Sequence, residues 1–196
     1  MIIEAAREVM LRRGIVHASL RNIAAASGVS IGTVTYHFSS TKEIITAVLQ
    51  REAEREYGEA IAAADSETDP VKALILLVDP LFSDDEIARE QWRLWPEYWS
   101  AVAHRLDLGA KIDSEVRMWE ACVARVIERG VSQRVFAEVD PAEIALKFAA
   151  YSDGIGLQLS QHARPLDERV ARRWLLEFFD DRLGGGGTPF TDAEVA

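Results

Sequence analysis

Apolar residues recur at three- and four-residue intervals along most of the chain, and no alternating run rich in β-branched residues persists, so the pattern predicts an all-α protein. A first helix over Met1–Arg13 lines up Ile3, Ala6, Val9, Met10 and Arg13 and stops at Gly14, a left-handed cap. Ser19 caps a second helix to about Ser27, with Leu20, Ile23 and Ala24 inward. After a tight turn at Gly28 and Val29, Ser30 caps a short third helix ending near Phe38, and Ser40-Thr41-Lys42-Glu43 is a capping box that opens a long helix to about Ala64. Beyond a polar connection at 65–70, helices are predicted at 70–82, 84–106, 109–129, 141–161 and 167–183, with Asp140 capping the one that begins at Pro141. The glycine run that follows predicts a flexible tail over 184–196. The organisation expected is a three-helix module over 1–50, whose fourth helix continues to about 64, and a second helical module over 65–183.

With 196 residues, 48% of them apolar, the chain has enough material for one or two packed cores. A single thiol, Cys122, cannot form an internal disulfide, and neither a leader pattern nor an apolar run near eighteen residues is present, so a soluble cytoplasmic protein without a membrane partner is expected. The net charge of −10 argues against a polyanionic partner until its distribution is considered. Residues 1–51 carry six basic side chains against three acidic ones, while the remainder carries sixteen against twenty-nine. The positive excess sits in the terminal quarter, as two modules with different partners would require.

The third predicted helix carries the chemistry. Val34 and Phe38, four apart, face inward and leave Thr33, Tyr36 and His37 on another side. Gly32 in its first turn removes a side chain where a duplex could approach, and hydroxyls, an imidazole and backbone N–H groups are the donors and acceptors suited to phosphates and base edges. Short helices separated by a glycine turn form the plan of a helix-turn-helix reader. The run Ala18-Ser19-Leu20-Arg21-Asn22-Ile23-Ala24-Ala25-Ala26-Ser27-Gly28-Val29-Ser30-Ile31-Gly32-Thr33-Val34-Thr35-Tyr36-His37-Phe38 closely resembles the DNA-binding domain of the tetracycline-repressor (TetR) family, with similarity over residues 1 to about 50. That resemblance implies an all-helical, homodimeric transcription regulator, more often a repressor, that binds a palindromic operator and is released by an effector held in its carboxy-terminal domain. It also implies a DNA-contact set of Arg21, Ser30, Ile31, Gly32, Thr33, Thr35, Tyr36, His37 and Lys42, with Arg21 and Thr33 at base edges and Tyr36 and His37 on the backbone. Two positions depart from the family pattern: Thr35 stands where tyrosine is common, and Thr41 where lysine is common, with Lys42 beside it. These departures, with the acidic remainder, keep open an alternative: a dimeric small-molecule sensor or carrier that does not bind DNA.

In the second half, Trp92, Trp95 and Trp99 fall on one helical stripe, and Trp119, Cys122, Val123 and Val126 on another. Such stripes serve either as core or as walls of an effector cavity, where flat rings accept apolar or cationic molecules, and the abundance of tryptophan points to a small apolar or aromatic effector. The ligand candidates are Trp92, Trp95, Trp99, Trp119, Cys122, Phe148 and Tyr151. The helix from Pro141 pairs a strip of small residues, Ala145, Ala149, Ser152, Gly156 and Ser160, with a bulky one containing Phe148, Tyr151, Ile155 and Leu159. The resemblance implies that the last two helices pair with their copies in a second subunit, through that small strip together with Trp174 and Phe178; coverage of both strips within one chain is the alternative. The segment Ala149–Arg164 also resembles, loosely, the betaine-regulator branch of the family. No metal-spaced Cys/His cluster, nucleophile elbow or phosphate loop occurs, so neither an enzyme nor a cofactor is expected.

Overall fold

The computed structural model describes residues 1–82, 92, 94–96, 106–161, 166–184 and 190, with the backbone alone for 56 and 106–116. The described residues are helical with no strand among them, only an isolated bridge between Phe136 and Gly184. In chain order the helices are α1 (Ile2–Arg13), α2 (Leu20–Ser27), α3 (Ile31–His37), α4 (Thr41–Ser66), α5 (Pro70–Val78), α6 (Leu106–Ser132), α7 (Pro141–Ser160) and α8 (Glu168–Leu183). Short 3₁₀ turns cover Ile15–His17 and Asp79–Phe82. The expected helix over 70–82 thus tightens after Val78, because Pro80 has no N–H to continue the ladder. Of the helix expected at 84–106, Trp92 and Leu94–Pro96 are helical and the rest lies outside the described residues.

Local chemistry accounts for most helix starts. Ser19 Oγ accepts from the Asn22 N–H at 3.2 Å and Ser30 Oγ from the Thr33 N–H at 3.0 Å. Asp69, Asp140 and Asp167 cap α5, α7 and α8 through their carboxylates, the first two ahead of a proline at the first helical position. The box at α4 works differently from its expected form: Ser40 Oγ accepts from the Glu43 N–H, but the Glu43 carboxylate turns to Ser39, accepting from its N–H at 2.7 Å and its hydroxyl at 2.8 Å. Gly28 is left-handed (φ 70°, ψ 17°), whereas Gly14, at φ 83° and ψ 159°, occupies the extended region of positive φ that a side chain would strain. Arg13, expected on the inner face of α1, is exposed.

The chain divides into two compact units, residues 1–55 with 90–116, and residues 56–89 with 117–196. α4 and α6 each begin in the first unit and end in the second. The first has a core of Ala6, Met10, Ile23, Val34, Ile44, Val48 and Leu49. Within it Arg7 Nε and Glu52 Oε2 form a buried ion pair at 2.9 Å. The second packs Leu74, Leu77, Val123, Val126, Phe148, Leu175 and Phe179, all fully buried. Phe190, within the stretch expected to be a flexible tail, is buried, its ring 5.8 Å from that of Phe136 and 5.5 Å from that of Phe179, while its N–H donates to Asp180 Oδ1. The neighbouring glycines concealed this anchor in the sequence.

Phe136 in turn depends on Gly130, where a Cβ would run into its ring. Because that ring is also held by Phe190, Gly130→Ala is expected to lower stability by about 2 kcal/mol, the scale of overpacking a filled core. Urea unfolding followed by circular dichroism measures it, and an unchanged midpoint would mean that the Phe136 ring moves aside freely.

Candidate nucleic-acid interface and effector-sensing helices

Val34 is fully buried and fixes the orientation of α3. Around it Ser30, Ile31, Gly32, Thr33, Thr35, Tyr36 and His37 are all exposed, Tyr36 by 85% and Ile31 by 45%. The rings of Tyr36 and His37 meet edge to face at 5.1 Å, so the two present one adjoining surface. The hydroxyls of Ser30 and Thr33 lie 2.9 Å apart, which leaves Thr33 spare hydrogen-bonding capacity on an open face. Thr35 is engaged differently, its hydroxyl donating back to the Gly32 carbonyl at 3.1 Å. Arg21 is exposed on α2, and Lys42 is half-buried in the first turn of α4.

The ligand candidates separate. Trp92 and Trp95 are buried in the first unit, Trp99 lies outside the described residues, and Trp119, Cys122, Phe148 and Tyr151 belong to the second unit. In that unit the rings form a connected chain across four helices. Tyr57 of α4 lies 5.8 Å from Trp119 of α6, which stacks on Phe148 of α7 at 5.4 Å. Phe148 stacks on Phe179 of α8 at 4.3 Å and meets Phe178 at 5.7 Å, and Phe178 meets Tyr151 at 5.7 Å. Trp119 donates its indole N–H to the Leu77 carbonyl at 3.2 Å, which fixes its plane. Sequence reasoning missed Tyr57, which sits in a stretch of α4 dominated by charged residues and alanine.

Cys122 sits at a polar junction. Its thiol lies 3.6 Å from Asp65 Oδ1, and Arg125 Nη2 donates to both oxygens of that carboxylate at 3.0 and 2.8 Å. Burial, reinforced by the Asp65 charge, pushes the thiol up to about 11. Arg129 Nη2 donates to the Ala64 carbonyl at 3.0 Å and Gln133 Nε2 to the Thr68 carbonyl at 3.3 Å, so this junction binds the end of α4 to α6.

The strip of small residues on α7 does not face outward as one surface. Ala145, Ser152 and Gly156 are buried within the chain, and Ala149 and Ser160 are half-buried, as are Trp174 and Phe178 on α8. The outward face of α7 is the row Leu146, Ala150, Asp153 and Leu157, with Leu146 exposed by 52% and Leu157 by 40%. Periodicity alone could not distinguish a strip covered by its own chain from one covered by a partner. Among the described residues no helix is long and apolar enough to cross a membrane, and no group of three or more His, Cys, Asp or Glu side chains is arranged to hold a metal.

Residues 2–48 match the model of bacterial regulatory proteins of the tetR family, and residues 70–184, more than half of the chain, match that of the carboxy-terminal part of BetI-type transcriptional repressors. The chain belongs to the TetR family, in its BetI-type branch. It is similar to the HTH-type transcriptional regulator BetI of Stenotrophomonas maltophilia, with 31% identity over 93% of this chain and 91% of that protein. Among solved structures it resembles a transcriptional regulator from Saccharomonospora viridis in complex with choline, with TM-score 0.81 and 26% identity over 93% of this chain and 95% of that one. A TetR regulator from Haloarcula marismortui shares the fold, with TM-score 0.80 and 21% identity over 93% and 96% of the two chains. The protein is therefore a helix-turn-helix transcription regulator of a family whose members are regulators rather than enzymes.

A thiol held at about 11 is almost wholly protonated at pH 8. Native protein is accordingly expected to take up iodoacetamide at Cys122 at least tenfold more slowly than urea-unfolded protein. Mass spectrometry of timed samples reads the difference, and equal rates would contradict the burial of this side chain.

Proposed function

We propose that this regulator is a homodimeric repressor that reads a palindromic operator with α3 and Arg21 and leaves it when a quaternary ammonium compound of the choline type occupies the aromatic chain of the second unit. The observation that carries the DNA side is α3 itself: Val34 holds it from beneath while Thr33, Tyr36 and His37 stand open together. Thr33 is the side chain assigned to base edges, and Tyr36 with His37 to the sugar–phosphate backbone. Thr35, whose hydroxyl proton goes to its own helix, can offer a contact only its acceptor lone pairs and its methyl group.

On the effector side, an onium group is attracted to the negative faces of Trp and Tyr rings by about 0.5–2 kcal/mol per ring. Trp119, Tyr57 and Tyr151 supply such faces, and the choline-bound relative supports this ligand class over the neutral molecules that the rings also suit. Two-fold pairing is proposed through the outward row of α7, Leu146, Ala150 and Leu157, beside half-buried Trp174 and Phe178. Such a dimer acts in the cytoplasm, where operator DNA lies.

A gel-shift titration with DNA from upstream of its own gene tests the whole reading. Salt-sensitive retardation that is relieved by millimolar choline chloride is expected, and an absence of retardation at every promoter tried would leave a sensor without DNA binding. Tyr36→Phe combined with His37→Ala is expected to weaken binding to all sequences alike, while Thr33→Ala changes the preference among sites by about 1–3 kcal/mol. If both leave affinity and preference unchanged, the contact face is misassigned. In sedimentation, Leu157→Glu is expected to yield monomers, since it replaces an apolar contact by a second carboxylate one turn from Asp153 that pairing would desolvate; a persistent dimer would place the interface elsewhere.

A further inference from the structure

Phe190 is buried, although Gly184 to Gly187, Thr188 and Pro189 before it carry little apolar surface. Its ring lies against Phe136 and Phe179, and both walls are fixed by the rest of their unit. Phe179 stacks on Phe148 at 4.3 Å. Phe136 sits over Gly130 and is bridged to Gly184, while the Ala137 N–H donates to the Leu183 carbonyl at 3.1 Å. A Cβ on Gly184 would stand 2.5 Å from the Asp180 carbonyl oxygen, so the chain leaves α8 by a path that glycine alone permits. Phe190 itself is held by those two rings and by the Asp180 carboxylate, which accepts from its N–H. It ends a connection whose glycines regain much backbone freedom on release. Asp180 and Asp181 stand in the last turn of α8, the negative end of the helix dipole, where carboxylates destabilise and a cation is attracted. Arg182, the basic residue of that turn, is drawn over the ring of Phe178, 5.8 Å from its centroid.

From its N–H to its ring, Phe190 presents a nitrogen, two carbons and a phenyl group. We propose that Phe136, Phe179 and Asp180 form a binding site for a free arylethylammonium ion, which the chain's own Phe190 fills when no such ligand is present. The free ion lays the same ring on Phe136 and Phe179 and replaces the amide donor at Asp180 by a full positive charge, so that the hydrogen bond becomes an ion pair as well. The tether opposes this advantage. A ring on a short connection is present at an effective concentration on the order of millimolar, and the ion displaces it only at comparable concentrations. The site uses neither Trp119 nor Tyr57, lies beyond the effector reading above and does not depend on DNA binding.

The Phe190 amide of the full chain reads the exchange of occupants. In protein labelled at the phenylalanine nitrogens its resonance is identified by its loss in Phe190→Leu. Saturating phenethylammonium chloride is expected to speed its exchange with solvent at least tenfold, because the N–H leaves Asp180. Phenethyl alcohol, of the same shape without the charge, is expected to need at least fivefold more for the same effect, and choline chloride, which has no ring, to leave the amide protected. In calorimetry Phe190→Ala, which no longer fills the slot, is expected to bind phenethylammonium at least tenfold more tightly than the unsubstituted protein. Asp180→Asn keeps an oxygen for the Phe190 N–H but loses the charge, so the ion and the alcohol are expected to bind it within about twofold of each other. Calorimetric binding that leaves the Phe190 amide protected places the ion elsewhere and overturns the site, as does equal affinity with and without the Phe190 ring. A preference for the ion that survives Asp180→Asn overturns the role of that carboxylate, and an effect of choline equal to that of phenethylammonium overturns the need for a ring. If Phe190→Ala does not unfold cooperatively, the exchange measurement on the unsubstituted protein decides alone.

Discussion

The constraint on which the rest of this structure depends is that α4 is one unbroken helix of 26 residues serving two compact units. Its first half is bound into the α1–α3 core by Ile44, Val48 and Leu49, and by a buried arginine–glutamate pair. Burying two charges is costly, and apolar side chains of similar volume would often stabilise such a site as well or better. What Arg7 and Glu52 add is register. Breaking the pair leaves an uncompensated buried charge, so sliding α1 along α4 is penalised far more than an apolar contact would penalise it. The orientation of α1 relative to α4, and through the packed core that of α3, is thereby fixed to a definite position on the long helix. At the other end Asp65, with Arg125 and the Cys122 thiol, performs a comparable task between α4 and α6.

Much of this was legible in the sequence where the determining physics is local. Ser19, Ser30, Asp140 and the Pro141 that follows it mark helix starts because a cap bonds within three residues of itself, and such bonds are carried in the residue order. The open face of α3 was legible for a related reason: one buried valine at a known helical phase determines which side chains stand open. The rest depended on contacts between distant residues. The small strip of α7 has the same spacing whether a partner or its own chain covers it, and only packing shows that Ala145, Ser152 and Gly156 are enclosed. Tyr57 lies among polar neighbours, and nothing in its surroundings announces Trp119. Phe190 follows four consecutive glycines, a composition that signals a loose tail, yet a single aromatic side chain reaching Phe136 and Phe179 ties that point down.

The charge distribution fits the same division of labour. A strongly acidic remainder lowers general affinity for DNA, and the modest positive excess over residues 1–51 confines attraction to the unit that matches the tetR-family DNA-binding model. A regulator gains from that arrangement because the competitors of one operator are the far more numerous unrelated sites on a chromosome. What matters is the ratio of specific to non-specific binding, which weak general attraction improves. A net charge of −10 is therefore compatible with DNA recognition, provided the charges are segregated as they are here.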